Sequence, residues 1–207
     1  MSNVHLFWDN SNIFISAKYV ANRREGYFEE NSVRIEFQNL YSLALADRPA
    51  DKAICVGSVP PELAAVWSRL RSAGVHVELF ERGADSGQEQ GVDQCLQVHM
   101  LRSLADNSSD PGTVVLLTGD GSGFDDGVGF HADLDRMQKM GWGIEVVAWE
   151  ISCKKTLKAW AEDVGTFTPL EDHYESITFL QTGRRAKPNN LTKRKLAKRV
   201  APEEKHP

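Results

Sequence analysis

Short, apolar, β-branched runs alternate along this chain with longer stretches whose apolar residues recur at helical spacing. Residues 5–8, 52–57, 75–80, 113–118 and 144–149 read as strands, and helices are expected near 12–22, 34–46, 62–73, 90–105, 131–140 and 154–163. This alternation of strands with helices predicts a parallel sheet with crossover helices. Strands buried on both faces read as near-continuous apolar runs, and VVLL at 114–117 and IEVVAW at 144–149 have that character. Gly74, Gly112 and Gly141 fall between elements, where helix ends and turns favour glycine. After Thr168 the periodicity fades, and residues 177–180 are expected either to add a short last strand or to pack against the body. No internal repeat is visible.

Two polar loops, residues 84–91 (ADSGQEQG) and 120–129 (DGSGFDDGVG), follow strand signals and lead into helices. In an α/β fold such loops lie at the carboxyl edge of the sheet, where ligands bind. The strand at 5–8 delivers Asp9 to that edge and the strand at 113–118 delivers Asp120, while Asp93 falls in the first turn of the helix after the third strand. Asp125 or Asp126 can extend the acidic set. Converging carboxylates suit hard divalent ions, which prefer oxygen ligands and water. Each aspartate also has a purely structural reading, as a helix cap or a partner of the helix dipole. Capping, however, does not require several carboxylates to share one rim. In the polar run Asp9, Asn10, Ser11 and Asn12 a single side chain suffices for the cap, and Asn12 is the residue most suited to a further role.

Charge divides the chain. Of its 24 basic and 29 acidic residues, nine basic and two acidic ones lie from Arg184 onward, which leaves a body of net charge −12 within a total of −5. The expected organisation is a domain over 1–182 and a solvated, disordered basic tail over 183–207. That tail is compatible with polyanion binding through Arg184, Arg185, Lys193, Arg194 and Lys195. Arg23, Arg24, Arg69, Arg71 and Arg82 are further basic candidates near loops or helix faces. The three cysteines are scattered and odd in number, suggesting no disulfide framework or zinc knuckle and favouring a reducing, cytoplasmic compartment. No apolar run approaches a membrane span, and the N-terminal MSNVHLFWDN has no secretory pattern.

Other chemistries find little support. No G-K-[ST] follows a glycine turn, and the glycines at 119, 121 and 123 make a poor dinucleotide fingerprint. His5, His76, His99, His131 and His173 lack a nucleophile motif beside them and read as structural or surface residues.

Three segments in order, FWDNSN at 7–12, QGVDQCL at 90–96 and LLTGDGSGF at 116–124, resemble the NYN domain, a LabA-like branch of the PIN-like ribonucleases. The resemblance spans roughly residues 3–168. It implies a three-layer α/β/α sandwich with a mostly parallel five- or six-stranded sheet, and hydrolysis of RNA phosphodiesters by water activated at a Mg²⁺ or Mn²⁺ site. Carried over by position, it makes Asp9, Asn12, Asp93 and Asp120 catalytic. Asp9, Asp93 and Asp120 become metal ligands; from this chain's own residues, Asp125 or Asp126 in the enlarged loop is expected to replace the missing fourth carboxylate, and Thr118 and Ser122 are expected to face the substrate. Thr118 stands where the family has serine and keeps the hydroxyl. Gln90 replaces the lysine of the family's K-G-V-D motif, Ser122 replaces its second aspartate, and Phe124 arrives one residue late. Those departures leave a second reading, a non-catalytic RNA-binding adaptor, and a third, a metal-dependent phosphatase or DNA nuclease. A homo-oligomer is compatible with any of them.

Overall fold

Side-chain alternation along the strand Val4–Asp9 (β1) sends Val4, Leu6 and Trp8 to one face and Phe7 to the other, and all four are buried. The same alternation recurs at Val115 and Leu117 against Val114 and Leu116 in Thr113–Leu117 (β5). Each strand therefore feeds two cores, and the sheet needs a helical layer on both sides. The computed structural model describes residues 3–58, 64–80, 91–181 and 185–196, and shows that arrangement. Besides β1 and β5, its main sheet contains Ala50–Ser58 (β3), His76–Phe80 (β4), Gly143–Ala148 (β6) and Thr166–Pro169 (β7). The order is β4-β3-β1-β5-β6-β7, and every pairing is parallel. The α/β/α sandwich expected from the sequence is the fold observed.

Asn10–Glu25 (α1), Phe37–Leu45 (α2) and Ala64–Ser72 (α3) supply one covering layer. Val92–Asp106 (α4), Gly129–Lys139 (α5) and Lys155–Val164 (α6) supply the other. The chain builds outward from β1 through β3 to β4, then returns beneath α4 to start again at β5 on the other side of β1. That reversal opens a crevice between the carboxyl ends of β1 and β5, the place where doubly wound sheets bind ligands.

Two elements differ from the sequence expectation. The helix expected from residue 34 begins at Phe37, because Val33–Ile35 (β2) pairs antiparallel with Thr178–Leu180 (β8) as a separate two-stranded sheet. Val33 and Ile35 are buried and Arg34 is not, a period of two that only a strand produces. The sixth main strand, β7, is four residues long and ends in Pro169, which an edge position tolerates.

The basic segment differs most. Residues 185–196 lie against the body instead of extending into solvent. Leu180 N donates to Arg185 O at 2.7 Å, Asn189 N to Glu175 O at 2.8 Å, and Ser176 Oγ to Asn190 O at 2.9 Å. Arg194 is buried and donates to Glu145 Oε2 at 2.6 Å; its Nε reaches Leu43 O at 2.7 Å and its Nη2 the Ala44 carbonyl. Arg48 pairs with both oxygens of the same carboxylate, at 2.9 and 2.7 Å, and its Nε donates to Leu45 O at 2.8 Å. Two guanidiniums thus take up the last carbonyls of α2, acceptors left without intrahelical donors.

Candidate active site

The polar turn after β1 begins with Asp9, which is 4% exposed. Its Oδ1 accepts from Asn12 N at 3.0 Å, making it the N-cap of α1, and its charge is favourable at that helix end. Its Oδ2 accepts from the Thr118 hydroxyl at 3.2 Å across the β1/β5 boundary. Thr118 Oγ1 in turn receives Asp120 N at 3.3 Å, and Gly119 N donates to Asn12 Oδ1 at 3.1 Å. Four residues selected from the sequence, Asp9, Asn12, Thr118 and Asp120, therefore form one hydrogen-bonded unit at the crevice. Asn12 is the surplus polar group of its run: Asp9 is the cap, and the Asn12 side chain anchors the β5 turn.

Beyond that unit the loop turns on itself. Asp120 Oδ1 accepts from Ser122 N at 3.0 Å, an aspartate turn, so the backbone of Ser122 contacts Asp120 and its side chain is exposed. Phe124 stacks on His131 with ring centroids 3.9 Å apart and planes at 16°, so the late aromatic still pins the loop to α5. Burial pushes the His131 imidazole below its ordinary pKa, against the nearby carboxylates of Asp135 and Asp125. Asp125 and Asp126 lie in the single 3-10 turn Phe124–Asp126, exposed to solvent.

Gly129 closes the loop at φ +84°, and a β-carbon there would lie 2.1 Å from Ser122 O. Its N–H donates to Gln97 Oε1 at 3.2 Å. Gln97 lies one turn along α4 from Asp93 on the same face, so the helix face that carries Asp93 is the one that meets this loop. Gly129→Ala is expected to lower stability by about 2 kcal/mol or more through left-handed strain and the clash with Ser122. Urea denaturation measures it, and an unchanged midpoint would show that the loop closes differently.

The rim is not a tight cage. Among the described residues, Asp9, Asp93 and Asp120 do not bring one oxygen each within 4.8 Å of the other two. Gln90 and Arg184 lie outside the described residues, as does Arg82. Lys193 and Lys195 are exposed, whereas Arg194, expected to face substrate, is buried in its pair with Glu145. Arg185 is likewise engaged: its guanidinium lies 4.6 Å from the Tyr174 ring centroid and donates to Thr178 Oγ1 at 2.9 Å and Glu25 Oε1 at 3.2 Å. Neither side chain is placed to receive a polyanion.

A model of the NYN domain matches residues 3–171. The chain belongs to the NYN domain family. Members of this PIN-like family are usually nucleases, and such nucleases typically use divalent metals. A crystal structure of a protein of unknown function from Vibrio parahaemolyticus is similar in fold, with a TM-score of 0.53 at 14% identity over 81% of this chain and 92% of that one. No curated protein sequence matches this chain. No helix among the described residues of this NYN domain is long and apolar enough to cross a membrane.

The site of this NYN domain offers a divalent ion an all-oxygen donor set. A carboxylate oxygen has two lone pairs, and among the described residues Asp120 Oδ2 accepts no hydrogen bond. Wide spacing fits an ion that retains several waters. Lys154 and Lys155 lie outside the candidates named from the sequence. Both are exposed at the start of α6, and Lys154 N donates to Gly119 O at 3.0 Å, which places this basic pair beside the acidic turn. The signal was present: KK follows the fifth strand run as Asp120 follows the fourth.

Proposed function

We propose that this NYN domain is a divalent-metal-dependent ribonuclease acting at the crevice between β1 and β5. The observation that carries the reading is the linkage of Asp9 to Asp120 through Thr118 at the point where the strand order reverses. Asp9, Asp120 and Asp93 would hold Mg²⁺ or Mn²⁺, with Asp125 or Asp126, exposed on the loop after Asp120, as water-mediated partners. When bound, the ion lowers the pKa of its water and offsets charge on the scissile phosphate. Asn12 and Thr118 orient the turn that carries Asp120, so the carboxylates are positioned before substrate arrives. Lys154 and Lys155, with Lys193 and Lys195, supply the positive charge that an acidic crevice needs to attract RNA, and this contribution falls as salt rises.

The test is incubation of the purified chain with single-stranded and structured RNA in Mg²⁺ or Mn²⁺, beside matched DNA and small phosphoesters. Metal-dependent cleavage of RNA, abolished by EDTA, is expected. RNA binding indifferent to EDTA without cleavage would support the adaptor reading, and preference for DNA or phosphoesters would move the substrate class.

A further inference from the structure

The edge strand β4 and the helix α4 bring a second cluster together. His76 and Glu78 are two apart and share one face of β4; Cys95 and His99 are four apart and share one face of α4. Glu78 is the hub. Its Oε1 lies 2.9 Å from His76 Nε2 and 2.6 Å from His99 Nε2, and its Oε2 accepts from the Cys95 thiol at 3.0 Å. The two imidazole centroids are 5.9 Å apart, with the ring planes inclined at 62°. His76, Glu78 and His99 each place one donor atom within 4.8 Å of the other two, and among the described residues they form the one such group.

We infer that His76, Glu78 and His99 form a site for a late first-row divalent ion, Zn²⁺ foremost, separate from the acidic rim. Two imidazoles and one carboxylate are the donor set such ions favour, and three protein ligands leave a position for water. Hydrogen bonding of both rings to one oxygen already gathers the donors, so binding requires rotation of side chains rather than rearrangement of backbone. Cys95 holds the second oxygen of Glu78 and orients the carboxylate. Access is open, with the side chains of His76, Glu78 and His99 60, 32 and 16% exposed.

The site is distinct in place and chemistry. β4 is two strands away from β1, roughly 10 Å across the sheet. His99 lies about 9 Å along α4 from Asp93. Nitrogen donors select against Mg²⁺, whereas the all-oxygen rim suits it. A bound ion would clip β4 to α4, the helix that presents Asp93, and would stabilise the folded chain by mass action.

Untagged full-length protein, stripped with chelator and dialysed, is titrated with Zn²⁺ by calorimetry and with Co²⁺ by visible absorption. One ion per chain is expected, with a rise in melting temperature. Affinity should fall by about tenfold or more in His76→Ala and His99→Gln, and stay unchanged in the combined Asp9→Asn, Asp120→Asn variant. His76 is exposed, so its replacement leaves the core packing intact, and circular dichroism verifies each fold. Absence of binding, equal affinity in His76→Ala, or loss confined to the Asp9/Asp120 variant would overturn the proposal without bearing on RNA cleavage.

Discussion

The Asp9→Asn variant is expected to fold normally and to cleave RNA on the order of 100- to 1,000-fold more slowly than the wild type, the scale of removing one preorganised electrostatic group. Asparagine caps a helix about as well as aspartate, so Asn12 N keeps its acceptor and α1 keeps its start. What changes is the charge and the lone pair beside Thr118. Asp120→Asn should behave alike, since the amide oxygen can still receive Ser122 N. The double variant should lose little more than either single one, because the two groups act as a unit. Single-turnover cleavage of labelled RNA in Mn²⁺, measured alongside thermal melting, separates loss of chemistry from loss of fold. An undiminished rate in either variant would remove the rim from the reaction.

Arg194→Ala is expected to destabilise the domain by about 3 kcal/mol, because it strips one of two cations from a carboxylate that stays buried. The side chains of Arg194 and Glu145 are both 0% exposed. The same change removes the donors to the Leu43 and Ala44 carbonyls at the end of α2. Truncation after residue 184 should cost more than Arg194→Ala, because it also removes the hydrogen bonds of Arg185, Asn189 and Asn190 to the body, whereas Lys193→Ala and Lys195→Ala should cost little. Acid links to the same cluster. Burial raises the Glu145 pKa, but Arg48 and Arg194 outweigh it and hold the carboxyl below its ordinary 4.5. A depressed folded-state pKa adds stability that is fully present above about pH 4.5 and is lost as pH falls through the folded value. Urea midpoints measured from pH 7 down to pH 3 should therefore decline for the wild type and decline less steeply for Arg194→Ala. Parallel curves for the two proteins would separate Arg194 from the titration of Glu145.

The acidic rim was legible because its residues sit at the ends of strands that announce themselves locally. Val4 to Trp8, broken only by His5, and Val114 to Leu117 are apolar runs, and in a parallel sheet everything just after such a run arrives at one edge. Asp9, Asn12, Thr118 and Asp120 follow from that rule, and the three ordered motifs place them in a family. Lys154 and Lys155 obey the same rule, following the fifth strand run to the same edge.

The pairs that bring together distant stretches were not legible. Nothing near Arg194 distinguishes it from Lys193 or Lys195. Burial singles it out, because Glu145 on β6 and the last turn of α2 converge there. His76 and His99 each looked like an isolated histidine, and only the packing of α4 on the edge of the sheet places both on Glu78. β2 reads as the first turn of a helix until β8 pairs with it. Local pattern determined the five central strands, most of the helices and the acidic residues at the strand ends, since side-chain periodicity and turn chemistry act over a few residues. The tertiary structure alone decided which charges are buried and which histidines meet, because a long-range contact depends on the whole arrangement of the chain and leaves no periodic mark in the sequence.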